Sequence, residues 1–435
     1  MIYVTDFPAA TDSESFELAL ANLDDDRILV IPPRRSEFDP DRRHWLIDRA
    51  ILLPSDITVI LRNSTIKLSD RCRDNFFRTA NCGLGIEFPE PMKNIHIKGI
   101  GHCELHGADH PRSTGDGGKV LKNPCPHYEE DILKYADWLS DDHRQNGIVD
   151  FLDKHNYTYG TDAGNPDESQ YGDWRNIGIL FANVTDFSVD NLHLCHTHGW
   201  GISFEACTYG KISNIDFKAN MRWYVDGMWH NRENEDGVNL RSGCHHVTIT
   251  NISGQTGDDV VALTAWRGLD APYKPGGSLR SSQVMHNDWT KRDPDIHDVI
   301  IRNVTGYSTL CYTIRLLPIN TRIYNVLIDG VIDTPREGEG NNGGVLMGEQ
   351  WDEATYADDA LENIVINNVI TCRKQGVLVW GKLKDSIITN VRTSDPKYAP
   401  VRHVRVNPFI NVTIANCSSA NERIVEHAPA HFDID

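Results

Sequence analysis

Apolar and polar residues alternate along most of the chain in short runs, and the runs return at a nearly constant interval. One recurring run ends in asparagine: "FSVDN" at Asn191, "KISN" at Asn214, "VTITN" at Asn251, "VIIRN" at Asn303, "IVINN" at Asn368, "SIITN" at Asn390 and "VTIAN" at Asn416. Neighbouring occurrences lie 23 (191 to 214), 22 (368 to 390) and 26 (390 to 416) residues apart, and the longer gaps hold extra loops. A second apolar run follows inside each unit: "GISF" (201–204), "GVNL" (237–240), "VVAL" (260–263), "TIRL" (313–316), "GVLM" (344–347) and "GVLV" (376–379). Alternation with a period of two predicts strands, and self-similarity at a fixed period predicts a solenoid. A single coil cannot bury its apolar face alone; stacking equivalent strands about 4.8 Å apart makes one continuous core. The expected fold is all-β: a single-stranded right-handed parallel β-helix, residues 1–435 forming one domain. The asparagine that closes each run suits a left-handed corner, where its amide hydrogen-bonds locally. Asn183, Asn251, Asn303 and Asn411 sit in N-x-S/T patterns and are read as turn residues rather than glycan sites.

The ends and the interruptions fit the same picture. "DSESFELALAN" (12–22) opens with a Ser/Asp cap and carries Phe16, Leu18 and Leu20, which predicts a short helix capping the first coil. "RILVIPP" (27–33), "AILLPSDITVILRNSTIKL" (50–68) and "NIHIKGIGHCELHG" (94–107) read as early coils. Residues 108–174 break the pattern: "EEDILKYADWLSDDH" and "GIVDFLDKH" have helical character, so this segment reads as a partly helical insertion, a lid or an oligomer contact. Shorter irregular stretches fall at 266–296 and 348–361.

Composition narrows the partners. The formal net charge of −19 argues against nucleic acid, which needs a basic surface, and favours a neutral or weakly charged small substrate. No run of about 18 apolar residues exists, so no membrane span is expected. The first residues lack a basic segment followed by an apolar core, so the expected location is cytoplasmic. The chain's 10 cysteines include no C-x-x-C pair; free thiols are expected rather than disulfides or a zinc site.

Two acidic doublets stand out, each directly before an apolar run: "NEDGVNL" (234–240) and "TGDDVVAL" (256–263). Asp236 and Asp259 are 23 residues apart, one repeat, so the doublets are expected side by side on adjacent coils. Asp is also common before strands as a solvated turn residue. Stacked carboxylates, however, raise one another's pKa and provide the pair that glycoside hydrolysis requires: a proton donor at the leaving oxygen and a base or nucleophile at the anomeric carbon.

These motifs resemble glycoside hydrolase family 28, the polygalacturonases and their relatives. That family carries N-T-D-G followed one coil later by G-D-D; here they read "NEDG" (234–237) and "GDD" (257–259). "WRNIGILFANVTDFSVDNLHLCHTHGWGI" (174–202) is similar to its upstream segment, and the likeness runs from about residue 10 to 330 outside the insertions. The resemblance implies an inverting hydrolase with Asp258 as general acid, Asp236 and Asp259 as water-activating bases, and no metal or cofactor. Three departures bear on the sugar. The family's G-H-G after the second doublet is missing, Leu317 replaces the Lys of R-I-K while Arg315 is kept, and Glu235 replaces the Thr of N-T-D. The lost cations would pair a uronate carboxylate, so a different sugar is expected.

Further substrate-binding candidates follow from position. Asn234 and Glu235 open the first doublet, and Glu235 adds a carboxylate that is an alternative base. His198 and Trp200 in "HTHGWG" precede it by one coil; Trp200 is either a sugar platform or a packed turn aromatic. Trp229 belongs to the aromatic stretch "RWYVDGMWHNREN" (222–234), which suits a sugar wall or an oligomer contact. Arg315 is expected to face the acidic row and be paired there, and Glu349 to extend the same strand row one or two coils past it. The partner expected is an oligosaccharide, with exo action if the 108–174 insertion closes one end of the cleft, and with homo-oligomerisation open. Elimination, epimerisation or intramolecular transfer on the same scaffold, and carbohydrate binding without catalysis, are the other readings, because fold does not dictate chemistry.

Overall fold

The computed structural model describes residues 1–69, 72, 74–83, 86, 88–108, 174, 177–197, 199–219, 222–225, 228–231, 236–266, 284–285, 292–333, 335, 342–349, 356–404, 409–420 and 425–428. Among them the chain is nearly all strand, and every neighbouring coil pairs in parallel. One sheet of 16 strands runs from Ile2–Tyr3 to Phe409–Ala415, and a second of 11 strands runs from Ile51–Leu53 to Val425–Ala428. This is a parallel β-helix, as the repeat predicts.

The registry of apolar residues explains the stacking. Val189, Ile212, Ile249, Ile301, Ile328, Ile366 and Ile388 occupy one column, each paired with the next across a coil boundary. All are buried in a single core cluster. β-branched residues suit this half of the pleat because their stiff side chains pack directly on their equivalents above and below.

The long strands turn a corner at their asparagines. Along Val184–Cys195, Phe187 and Val189 point inward, then Leu192 and Leu194 do. The inward parity slips by one at Asn191, which adopts φ 56°. The first part of this strand pairs Met92–Ile100 and the last part pairs Glu104–His106, so the larger sheet wraps two sides of the solenoid. Asn214, Asn251, Asn303, Asn368, Asn390 and Asn416 take φ between 54° and 57°, and Asn183 and Asn411 take 54° and 53°. The amides of Asn214, Asn251 and Asn303 form a ladder: Asn251 Nδ2 donates to Asn214 Oδ1 at 3.0 Å, and Asn303 Nδ2 to Asn251 Oδ1 at 3.1 Å.

The N-terminal helix, Asp12–Ala21, covers the first coil with Phe16 and Ala19. Its cap differs from expectation: Thr11, not Ser or Asp, is the N-cap, in a capping box with Glu14. Asp12 is instead buried inside the first turn, held by Arg34, Arg42 and the Leu46 N–H. Leu18 is exposed, so the covering face is narrower than its apolar residues imply. The described cysteines are all free, with Cys372 exposed. Among the described residues, no helix is long and apolar enough to cross a membrane. The helices expected inside the 108–174 insertion, and most of 266–296, lie outside the described residues.

Candidate active site

Three strands of the smaller sheet carry the site: Val238–Arg241, Val261–Trp266 and Ile314–Ile319. Val238 pairs Val261, and Val261 pairs Ile314. Val238, Leu240, Val261, Leu263, Ile314 and Leu316 face the core, so Asn239 and Arg315 face outward. Two residues before these strands the same register continues, because the Gly237 N–H donates to the Asp259 carbonyl at 2.8 Å. Asp236 and Asp259 therefore occupy equivalent positions on consecutive coils, with Tyr312 next in the row. Gly237 makes the close approach possible: a Cβ there would lie 2.3 Å from the Val260 carbonyl oxygen.

The three aspartates sit in different environments. Asp236 is 6% exposed. Its Oδ1 accepts the Asp259 N–H at 3.1 Å and its Oδ2 accepts Asn239 Nδ2 at 2.8 Å. Asp259 is 2% exposed; its Oδ1 accepts the Tyr312 N–H at 3.1 Å and its Oδ2 faces Arg315 Nη1 at 3.4 Å. Burial, reinforced by the neighbouring Asp258 charge, pushes the Asp259 carboxyl up to about 7, although Arg315 and the Tyr312 N–H act in the opposite direction. Asp258 is only half-buried. Its backbone carbonyl accepts the Thr256 hydroxyl at 2.6 Å, and its Oδ1 has no hydrogen-bond partner among the described residues. Ligand atoms of Asp258, Asp259 and Cys311 lie within 4.8 Å of one another. Burial and the two aspartates push the Cys311 thiol well up, so it stays protonated.

Arg315 links the row onward. It ion-pairs with Glu349, which is 8% exposed, as well as with Asp259. Burial alone disfavours its charge, but Asp259 and the other carboxylates outweigh that. Leu317, where the resembling motif has Lys, is buried and apolar.

Trp200 stands one coil before Asp236, and the Gly201 N–H donates to the Asp236 carbonyl at 2.6 Å. It is 5% exposed and the Arg241 guanidinium lies over its ring at 4.3 Å. It packs with Trp174, Leu180, Val284 and Met285. In this conformation it is the packed aromatic, not an open sugar platform. His198, Asn234 and Glu235 lie outside the described residues, as does the side chain of Trp229. Its backbone pairs with Tyr224 in an antiparallel hairpin, Arg222–Val225 with Met228–Asn231.

Two contributions were not singled out in the sequence. Asn239 holds Oδ2 of Asp236; the signal was a polar residue between Val238 and Leu240, at an outward position of the strand. Glu205, fully buried, accepts the N–H groups of Val284 and Met285 at 2.8 and 3.1 Å, tying that segment against the sheet. Nothing in the spacing announces this contact, because it spans 79 and 80 residues.

Several solved structures are similar to this chain. A family 28 exopolygalacturonase from Yersinia enterocolitica aligns with 95% of this chain and 77% of its own length, at 12% identity and a TM-score of 0.45. The A-module of a mannuronan C-5 epimerase from Azotobacter vinelandii aligns with 100% of this chain and 99% of its own, at 10% identity and a TM-score of 0.45. A polygalacturonase from Erwinia carotovora aligns with 96% and 94%, at 13% identity and a TM-score of 0.43. No family model and no curated protein matches the chain. The fold stands on the strand pairing above, and the chemistry on the residues of the site.

Proposed function

We propose that this chain is a glycoside hydrolase that cleaves an oligosaccharide with inversion. The observation that carries the reading is the row of carboxylates on two consecutive coils, with Asp259 buried and its carboxyl raised to about 7. A general base works best when its pKa lies near the operating pH. Asp259 and Asp236, tied together through the Asp259 N–H, hold and activate the water. Asp258, the least buried of the three, donates the proton to the leaving oxygen. The motif likeness to glycoside hydrolase family 28 supports this division of roles.

The substrate is a short glycan without a uronate at the reacting subsite. Leu317 is apolar, and the Arg315 charge is already matched by Asp259 and Glu349. The same neutralisation speaks against elimination, which needs a cation to stabilise an enolate. The net charge of −19 also disfavours a polyanion. The chain acts in the cytoplasm on an imported oligosaccharide, exo-wise.

A panel of defined neutral and uronate oligosaccharides, with the product anomer followed by NMR, tests the proposal. Inverted anomer from a neutral substrate is expected. A product absorbing in the ultraviolet decides for elimination, and binding without turnover of any glycan decides for a non-catalytic module.

A further inference from the structure

Beyond the acidic row, a second group of side chains converges where the chain leaves the site strand Val238–Arg241 and enters His245–Thr256. His245 pairs His297 across the coil boundary, which places His246 beside Asp298. His245 Nδ1 and His246 Nδ1 are 2.8 Å apart. The His245 and His297 rings stack with centroids 4.6 Å apart and planes 6° apart. One nitrogen from each of the three rings lies within 4.8 Å of the others.

Asp298 completes the set. Its Oδ2 is 2.7 Å from His297 Nδ1 and 3.6 Å from His246 Nδ1, while its Oδ1 accepts Asn325 Nδ2 at 2.9 Å. Asn325 thus aims one carboxylate oxygen at the histidines.

The same place is a regular corner of the solenoid, already left-handed at Tyr209 (φ 58°) on the coil before. His246 takes φ 56°, and Asp298 and Asn325 take 54° at the equivalent corner of the next two coils. Ring stacking of His245, His297 and Tyr324 accounts for His245 and His297. His246 packs against Tyr209, with ring centroids 4.9 Å apart, and its Nδ1 is turned to that of His245.

We infer that His245, His246, His297 and Asp298 bind a divalent transition-metal ion of the zinc class. Three imidazole nitrogens and one carboxylate oxygen are a tetrahedral donor set for Zn²⁺, with bonds of about 2.0–2.2 Å. Those lengths put ligand atoms about 3.4 Å apart, so the contacts now at 2.7 and 2.8 Å open slightly and the wider separations close. The ion joins the coil that carries Asp236 to the coil entered at Ile296. It is a clip between coils and takes no part in the hydrolysis proposed above.

The test is titration of the metal-stripped full chain with ZnCl₂ by calorimetry, with thermal unfolding followed alongside. One equivalent should bind with a dissociation constant in the micromolar range or tighter, and zinc should raise Tm. His246→Ala, His297→Ala and Asp298→Asn should each weaken binding at least tenfold and remove the zinc-induced rise in Tm. Circular dichroism of the stripped variants should match that of the stripped parent. Three results overturn the inference: no zinc bound by the unaltered chain, the parent's affinity retained in both histidine variants, or loss of binding with Cys311→Ser alone. The last would place the ion at the Asp258–Asp259 doublet.

Discussion

The backbone N–H of Asp259 donates to Oδ1 of Asp236 across 3.1 Å, so the two coils are tied together at the carboxylates themselves. The other oxygen of Asp236 is taken by Asn239. Removing the Asp236 carboxylate therefore affects chemistry and folding differently according to what replaces it. Asp236→Asn keeps an oxygen for the Asp259 N–H and should change stability by less than about 1 kcal/mol. Asp236→Ala leaves that buried donor unmatched and should cost about 1–3 kcal/mol more. Both should abolish most turnover. Urea unfolding of the two variants separates the effects; equal stabilities would mean that the tie is not structural.

Asp258 provides the complementary case. It is half-buried, and its side chain accepts none of the backbone hydrogen bonds that secure Asp236 and Asp259. Asp258→Asn should leave Tm within a few degrees of the parent while kcat falls roughly 10²–10⁴-fold, the range for loss of a general acid. Steady-state kinetics on the best oligosaccharide of the panel is the check. Near-parent turnover would remove Asp258 from the mechanism.

Arg315 lies between Asp259 and Glu349, with all three buried. Arg315→Met takes the guanidinium from both carboxylates and should destabilise by about 3–5 kcal/mol, the usual cost of breaking a buried pair from one side. Arg315→Met combined with Glu349→Met should recover part of that loss, because one stranded charge goes too. A double-mutant cycle by chemical denaturation measures the coupling. Strict additivity would show that Glu349 is incidental to the row.

Much of the scaffold was legible because it repeats. The asparagines that end each run all proved left-handed, since only the corner geometry explains a polar residue at that phase of an apolar strand. Asn251 makes this testable. Asn251→Gly removes the ladder bonds to Asn214 and Asn303 but tolerates φ 56°, and should cost about 1 kcal/mol. Asn251→Val should cost roughly 1–2 kcal/mol more, because a β-branched side chain resists the left-handed region. Reversal of that order in thermal unfolding would contradict the corner reading.

The site was legible only where partners lie one uninterrupted repeat apart. Asp236 and Asp259 meet that condition. Tyr312, whose N–H holds Asp259, follows it by 53 residues because loop sequence intervenes, and its place in the row could not be counted off. His245 and His297 are hidden in the same way: register joins them, and no ligand spacing does. Trp200 was open for a different reason: sequence pattern identifies an aromatic at a turn, but the side chain that covers it, Arg241, comes from another coil.

The raised carboxyl of Asp259 sets activity and stability against each other as pH rises. The folded chain keeps that proton up to about 7, whereas an unfolded Asp releases it near 3.9. Between these values the native state binds more protons than the unfolded one, so this group's contribution to stability is complete below about pH 4 and is lost as pH climbs through about 7. As a general base, the same carboxyl must be ionised to work. The proposed roles therefore require kcat/KM to rise through about pH 7 while the Asp259-dependent stability falls. Asp259→Asn has no such titration, so it should gain stability relative to the parent between pH 4.5 and 8, on top of a constant offset from its altered contact with Arg315. Urea midpoints for both chains across that range, beside the pH profile of kcat/KM, test both limbs. Parallel midpoints would show that Asp259 titrates normally. A kcat/KM that falls through pH 7 would instead make Asp259 the acid and pass the base role to Asp236.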